Sequence, residues 1–304
     1  MLVPRQKLHA VGPEVSRLSW GVWRAQKGDE TNTPAKLATF VEACAEVGVT
    51  TFDLADIYGN YEIEGLFGAA LRERPTLRNR IEIVSKFGVC NVGTGRPAHR
   101  VKHYNCSRAH IEATVENSLK EIGTDRLDLL LVHRPDYLAP AEETARALEA
   151  LVAAGKVRSV GVSNHTPSQV SLLQSKLSLP IVTNQIELSV LARAAFSDGT
   201  LAQAQETGAS PMIWSPLGGG RLFDETNEAM RPVRDALGAV AARRGTADIA
   251  AVAIAWLLAL PSRPVPVLGS TRIARIRVLS KAAAIELDRW DWYQILEAAQ
   301  GRLP

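Results

Sequence analysis

Four side chains suited to moving a proton are spread over the first half of the sequence: Asp53, Tyr58, Lys86 and His133. A tyrosine ordinarily titrates near about 10, too high for easy proton donation at neutral pH. A nearby cation favours the phenolate and lowers that value, and a carboxylate can hold the cation in place and keep it charged. Lys86, held by Asp53, would serve Tyr58 in this way. His133 would add a hydrogen bond to the phenol or to a substrate oxygen. Tyr58 so tuned is a general acid for an oxygen gaining negative charge, such as a carbonyl receiving hydride. Taken singly, each residue has a plainer reading. Asp53 with Lys86 could be a structural ion pair, His133 a satisfied histidine at a strand exit, and Tyr58 a loop tyrosine. The chemistry requires that all four meet at one end of neighbouring strands.

The surrounding patterns place them there. Val49, Phe52 and Leu54 form a short strand between Gly48 and Gly59, with Asp53 at its end. Ile81 to Lys86 is a strand broken by Gly88, and Leu127 to His133 is an apolar run of the kind buried on both faces. Further strands are expected at Leu18–Trp23, Val157–Ser163, Ile181–Glu187, Met212–Ser215 and Pro264–Leu268. Between them lie helix signals. Thr33-Pro34 caps a run with Leu37, Phe40, Val41, Cys44 and Val47, and Ile63, Leu66, Phe67 and Ala70 mark the next helix. Ser107 precedes a face of Ile111, Val115, Leu119 and Ile122, ending at Gly123. Pro140 opens a helix stopped by Gly155, and Thr166-Pro167-Ser168-Gln169 is a capping box. Two stretches, about Glu228 to Arg244 and Thr246 to Leu260, follow the seventh strand, one helix carries Ile276 and Leu279, and a last one carries Trp290, Trp292 and Tyr293. The stretch before the first strand, with Gly12 and Pro13, suits a β-hairpin, and Val89 to Cys106 reads as a long loop.

Eight strands alternating with helices predict an α/β fold, a (β/α)8 TIM barrel in one domain over residues 1–304. The rival is an open doubly wound sheet, which usually carries a glycine-rich phosphate turn after its first strand. Here that strand leads into Trp23-Arg24-Ala25, and neither G-x-G-x-x-G nor G-K-[ST] follows.

Composition narrows the partners. Of 304 residues, 35 are Lys or Arg and 32 Asp or Glu, so the formal charge is +3, and the basic residues are scattered. This argues against nucleic acid or an anionic membrane as partner. The longest apolar run, Ile249 to Leu260, is too short to span a bilayer and suits a buried helix. Cys44, Cys90 and Cys106 are odd in number without C-x-x-C spacing, as expected of reduced thiols in a cytoplasmic protein, and no signal peptide is visible. None of the six histidines stands in an H-x-H pair or at i, i+4 on an expected helix. A metal-dependent barrel hydrolase is therefore disfavoured and no metal is assigned.

In a barrel the C-terminal strand ends converge on one mouth. That mouth would present Asp53, Tyr58, Lys86 and His133, then Ser163-Asn164, Gln185, Trp214-Ser215 and Gly269-Ser270. Several motifs at these positions resemble the aldo-keto reductases: F-D-L-A-D-I-Y-G at Phe52, S-K-F-G at Ser85 and L-D-L-L-L-V-H-R-P-D at Leu127. G-K-V-R-S-V-G-V-S-N at Gly155, N-Q-I-E at Asn184 and W-S-P-L-G-G-G-R-L at Trp214 continue the match, collinear from about Leu18 to Ala284. The last motif resembles a bacterial branch of predicted oxidoreductases in that family.

The resemblance implies a barrel that binds NADPH without a Rossmann fold and reduces an aldehyde or ketone. It makes Tyr58 the proton donor, with Asp53 and Lys86 lowering its pKa and His133 orienting the carbonyl. It puts Ser163, Asn164 and Gln185 on the nicotinamide carboxamide, and Trp214 stacked on the ring. Ser215, Leu217, Gly219 and Arg221 fall on the pyrophosphate segment. Gly269, Ser270, Arg272 and Arg275 fall on the adenosine segment. Many members have lysine where this chain has Gly269, and Asn or Glu where it has Leu279. Arg272 and Arg275 could still grip a 2′-phosphate, which favours NADPH over NADH. Trp20, Trp23, Asp56 and the loop from Asn91 to Tyr104 are candidates for the substrate pocket. The alternative is a regulatory subunit that binds the cofactor with little turnover. The oligomeric state is not readable from sequence, and the family suggests a monomer.

Overall fold

A computed structural model describes residues 2–302. Eight parallel strands close into a barrel: β1 (Ser19–Gly21), β2 (Thr51–Asp53), β3 (Glu82–Phe87), β4 (Leu129–Val132), β5 (Val160–Ser163), β6 (Ile181–Glu187), β7 (Met212–Trp214) and β8 (Val265–Leu268). Helices α1 (Pro34–Glu46), α2 (Ile63–Glu73), α3 (Arg108–Ile122), α4 (Ala141–Ala153), α5 (Pro167–Gln174) and α6 (Thr200–Thr207) follow the first six strands in turn. Two helices, α7 (Arg231–Arg243) and α8 (Ile249–Leu258), follow β7; α9 (Ile273–Ser280) follows β8, and α10 (Arg289–Gln300) comes last. This is the (β/α)8 barrel expected, with the extra helices after β7 and at the C-terminal end.

The period-two alternation of the strands sorts their side chains between two cores. Val84, Leu129, Leu131, Val182, Met212, Val265 and Val267 form an inner cluster, which Leu8 and Val15 of an N-terminal hairpin (Arg5–Lys7 with Glu14–Ser16) join. Outward residues pack under the helices: Trp20, opposite Phe52 in register, meets Phe40 of α1 with ring centroids 4.7 Å apart. Helix α8 is buried along nearly its whole length, which accounts for its unbroken apolar sequence. No helix among the described residues is long and apolar enough to cross a membrane.

Helix starts follow the expected chemistry with one exception. Thr33 accepts from the Lys36 N–H, and Thr166 and Gln169 form the reciprocal capping box. Ser107 stands at the N-cap of α3, but its hydroxyl donates to Asn105 Oδ1 at 2.7 Å instead of capping. Three boundaries also differ. The first strand stops at Gly21, because the chain turns into a 3-10 helix, Val22–Lys27. The stretch expected to be helical from Thr246 begins at Ile249, where Asp248 caps the Ala251 N–H at 2.9 Å. The long loop after β3 contains a short antiparallel ladder, Val89–Cys90 with His103–Tyr104. All three cysteines are free and buried.

Candidate active site

Alternation on β3 places Val84 in the inner core and Lys86 one layer above it, while Ser85 turns outward to donate to Glu64 of α2 at 2.5 Å. Lys86 is fully buried, and its ammonium has three acceptors for its three protons. Asp53 Oδ2 lies at 2.8 Å, the Leu54 carbonyl at 2.7 Å and the Tyr58 hydroxyl at 3.1 Å. Asp53 Oδ1 in turn accepts from Gln185 Nε2 at 2.7 Å. A relay Gln185–Asp53–Lys86–Tyr58 thus crosses the top of the barrel from β6 to the loop after β2. Because Lys86 donates to the phenol oxygen, the phenol's own hydrogen is left to point elsewhere. Tyr58 lines a cavity of about 610 Å³ at the strand ends.

The charges in this relay follow from burial and pairing. Burial works against the Lys86 cation, but Asp53 and Tyr58 outweigh it, so its pKa lies above the ordinary lysine value. Burial also raises the Tyr58 phenol, and this exceeds the lowering by Lys86. Lys86 thus lowers the phenol as expected, whereas Asp53, expected to lower it too, raises it, and the net direction is upward. Burial, with Lys86, Arg134 and Lys102, holds His133 well below the ordinary histidine value, so its imidazole is neutral at pH 7. His133 lines the cavity, and its Nδ1 is buried without a partner among the described residues. The Tyr58 and His133 rings stand edge to face, 6.0 Å apart.

Next to this end, Asn164 and Trp214 form one wall. Trp214 Nε1 donates to Asn164 Oδ1 at 2.9 Å, Asn164 Nδ2 donates to Ser163 Oγ at 2.8 Å, and Ser163 Oγ donates to the Gln185 carbonyl at 2.9 Å. Asn164 and Ser215 both sit at positive φ, 58° and 51°, a conformation that non-glycine residues keep only where their surroundings enforce it. The backbone then runs through Gly219 and Gly220, with φ of 69° and 96°. Among the described residues, chain neighbours aside, nothing lies within 4 Å of a Cβ built at either glycine, so what demands glycine is the conformation, and the bare backbone is open to a ligand.

The cavity gathers most of the residues singled out in the sequence. Asp53, Tyr58, His133, Ser163, Asn164, Gln185, Trp214, Ser215, Leu217, Gly219, Gly269, Ser270, Arg272, Arg275 and Trp23 line it. Lys86 lies behind the wall. Arg221 points away, its Nε donating to the Gly218 carbonyl at 3.0 Å. Three substrate-pocket expectations fail on geometry. Trp20 takes the outward phase of β1 and is sealed in the core, its indole donating to the Ser270 carbonyl at 2.8 Å. Asp56 is buried, its Oδ1 without a partner among the described residues, and it is not on the cavity wall; no residue from 91 to 104 reaches that wall either. Arg24, Arg134 and Phe223 line the cavity without having been singled out. Arg24 and Arg134 directly follow Trp23 and His133, so one step further along each strand exit would have found them.

A second cavity of about 320 Å³, between α5 and α6, is lined by residues such as Val170, Gln174, Thr183 and Gln203 and by no ionisable group.

Known proteins give this mouth a lineage. Residues 17–300 match the family model described as Aldo/keto reductase family. The chain is 48% identical over 290 residues to the 6-dehydroglucose reductase of Agrobacterium fabrum (strain C58), covering 95% of this chain and 96% of that one. It is 44% identical to oxidoreductase YdhF of Escherichia coli (strain K12), covering 99% of each. The crystal structure of a thermostable aldo-keto reductase, Tm1743, solved with the inhibitor epalrestat, superposes with a TM-score of 0.81 at 27% identity, covering 97% of this chain and 99% of that one. The chain belongs to the aldo/keto reductase family and is an NAD(P)H-dependent oxidoreductase.

Proposed function

We propose that this enzyme reduces an aldehyde or ketone with NADPH and that Tyr58 protonates the carbonyl oxygen. One observation carries the proposal: a phenol on the cavity wall accepts a hydrogen bond from a lysine whose other two protons are already committed. As the phenol gives up its proton, the developing phenolate lies 3.1 Å from an ammonium ion held in place by Asp53. Charge that appears only in the transition state is therefore met by a preorganised cation. His133, neutral, donates to the same carbonyl oxygen and fixes its position. When bound, the reduced nicotinamide supplies the hydride. Asn164 and Trp214 would hold its ring, and the bare backbone from Ser215 to Gly220 would take its phosphates.

Arg272 supports NADPH over NADH, being exposed on the cavity rim with no side-chain partner among the described residues. The relative named 6-dehydroglucose reductase supports a sugar-derived carbonyl compound as the substrate class. We place a polyhydroxylated aldehyde first among substrates, in keeping with the guanidinium groups of Arg24 and Arg134 at the mouth.

The test is a carbonyl panel, sugar aldehydes included, followed at the NADPH absorbance in wild type and Tyr58→Phe. The variant should lose at least about 10²-fold in kcat while NADPH binding, read by fluorescence, survives. Unchanged turnover would remove Tyr58 as the acid. NADPH binding with no turnover of any carbonyl by the wild type would favour a regulatory role.

A further inference from the structure

The loop between β3 and α3 brings together a thiol and three imidazoles. Its antiparallel ladder sets Cys90 directly opposite His103, a pairing that holds the β-carbons within about 5 Å. A turn closed by the His99 N–H on the Arg96 carbonyl at 3.1 Å then folds His99 back, and its ring meets that of His103 at 5.2 Å. Cys90 Sγ and one ring nitrogen each of His99 and His103 lie within 4.8 Å of one another. His110, in the first turn of α3, brings its Nε2 to 3.7 Å from Cys90 Sγ.

The backbone decides which nitrogens are available. His99 Nδ1 lies 2.9 Å from the Asn91 carbonyl, and His103 Nδ1 lies 2.9 Å from the Val101 carbonyl. A carbonyl can only accept, so each Nδ1 carries the proton and each Nε2 keeps its lone pair. Metal-bound histidines are held by this same hydrogen bond from the far ring nitrogen. The Arg96 guanidinium, in that turn, is stacked on the Tyr61 ring at 4.5 Å.

We propose that this loop binds one thiophilic divalent cation of the zinc class, through the Cys90 thiolate and Nε2 of His99 and His103, with His110 Nε2 as fourth donor. Binding replaces the S–H bond by a sulfur–metal bond and releases one proton; nothing is oxidised or reduced. Thiolate with imidazole is the donor set that zinc prefers. Tetrahedral zinc sets its donors roughly 3.3–3.8 Å apart, so side-chain movement of about 1 Å closes the site. None of the four residues lines the 610 Å³ cavity, so the ion is structural rather than part of the reaction. Its effect would be on the loop itself, which leans on the segment after Tyr58. Asn91 N–H donates to the Tyr61 hydroxyl at 2.8 Å, and Asn60 Nδ2 donates to Thr94 Oγ1 at 2.6 Å. Sequence spacing assigns no metal here, because the ladder and not a helix brings the ligands together.

The test uses the full-length protein, stripped with a chelator and titrated with Co²⁺ and then Zn²⁺. One equivalent of Co²⁺ should bind with a sulfur-to-cobalt charge-transfer band and tetrahedral d–d bands, and one equivalent of Zn²⁺ should displace it and raise Tm. Cys90→Ser should lose the charge-transfer band. His99→Ala and the milder, half-exposed His103→Ala should each bind about tenfold more weakly or worse, and Cys44→Ser, in the distant core, should bind as wild type does. Absence of stoichiometric binding by the wild type would overturn the proposal. So would cobalt without the charge-transfer band, or His103→Ala binding as tightly as the parent.

Discussion

The two ends of the main cavity are built on different plans. At the Tyr58 end, Gln185, Asp53 and Lys86 are buried, and each bonds the next, so charge and geometry are set before anything binds. At the far end, Arg272 is exposed and Arg275 is spent on Asp248, with Nη1 2.6 Å from Oδ2, while Asp248 also caps α8. Proton transfer tolerates little misplacement and rewards a rigid low-dielectric site. Holding a charged cofactor tail calls only for complementary charge, which solvated side chains can supply on arrival. Damage at the first end should therefore appear in kcat and stability, and damage at the second in cofactor affinity.

Lys86→Met strikes the first end hardest. It strips the cation from a buried carboxylate, a change that costs about 3–5 kcal/mol when one partner of such a pair is removed. We expect a large drop in denaturation midpoint together with a kcat loss beyond about 10²-fold. A variant as stable as the parent would show that the relay is not a unit. At the far end, Arg272→Ala should weaken NADPH binding roughly tenfold and leave NADH almost untouched, as loss of one phosphate-binding guanidinium implies. Arg275→Ala should matter less, since Asp248 already holds that side chain. Fluorescence titration with both cofactors reads the contrast, and equal losses for NADPH and NADH would take the 2′-phosphate away from Arg272.

The smallest effect is expected at Asp56, beside the first end but outside its relay. Burial, then Glu64, pushes its carboxyl well above the usual carboxylate range, so the folded state keeps a proton that the unfolded chain releases. The folded state binds more protons, and stability falls as pH rises above the ordinary aspartate value. Asp56→Asn should remove that slope. Its Tm should exceed the parent's at pH 8, by roughly 2 °C for each kcal/mol relieved, and match it near pH 4. A Tm gain that does not grow with pH would mean that Asp56 is ionised in the fold.

The uneven legibility of the chain has the same origin as the contrast between the ends. Strand ends are readable because a barrel turns sequence position into spatial position: the last inward residue of each strand faces one mouth. Asp53, Lys86 and Gln185 could be placed in this way before any contact was known. Trp20 and Trp23 show the limit. Both are large aromatics beside the first strand, yet one step of the alternation buries Trp20 under α1, and a 3-10 turn carries Trp23 out to the mouth. The boundary that separates them depends on where β1 stops, and the local sequence does not mark that place.

Residue types, strand count and capping chemistry were determined by the sequence itself, because short-range sterics and hydrophobic periodicity act within a few residues. The upward shift of the Tyr58 phenol, the commitment of Arg275 and the meeting of Cys90 with three histidines were decided by the tertiary structure. Burial depends on what covers a group, and the cover comes from far along the chain. Gln185 reaches Asp53 across 132 residues of sequence. No local pattern carries that information, and only closure of the barrel supplies it.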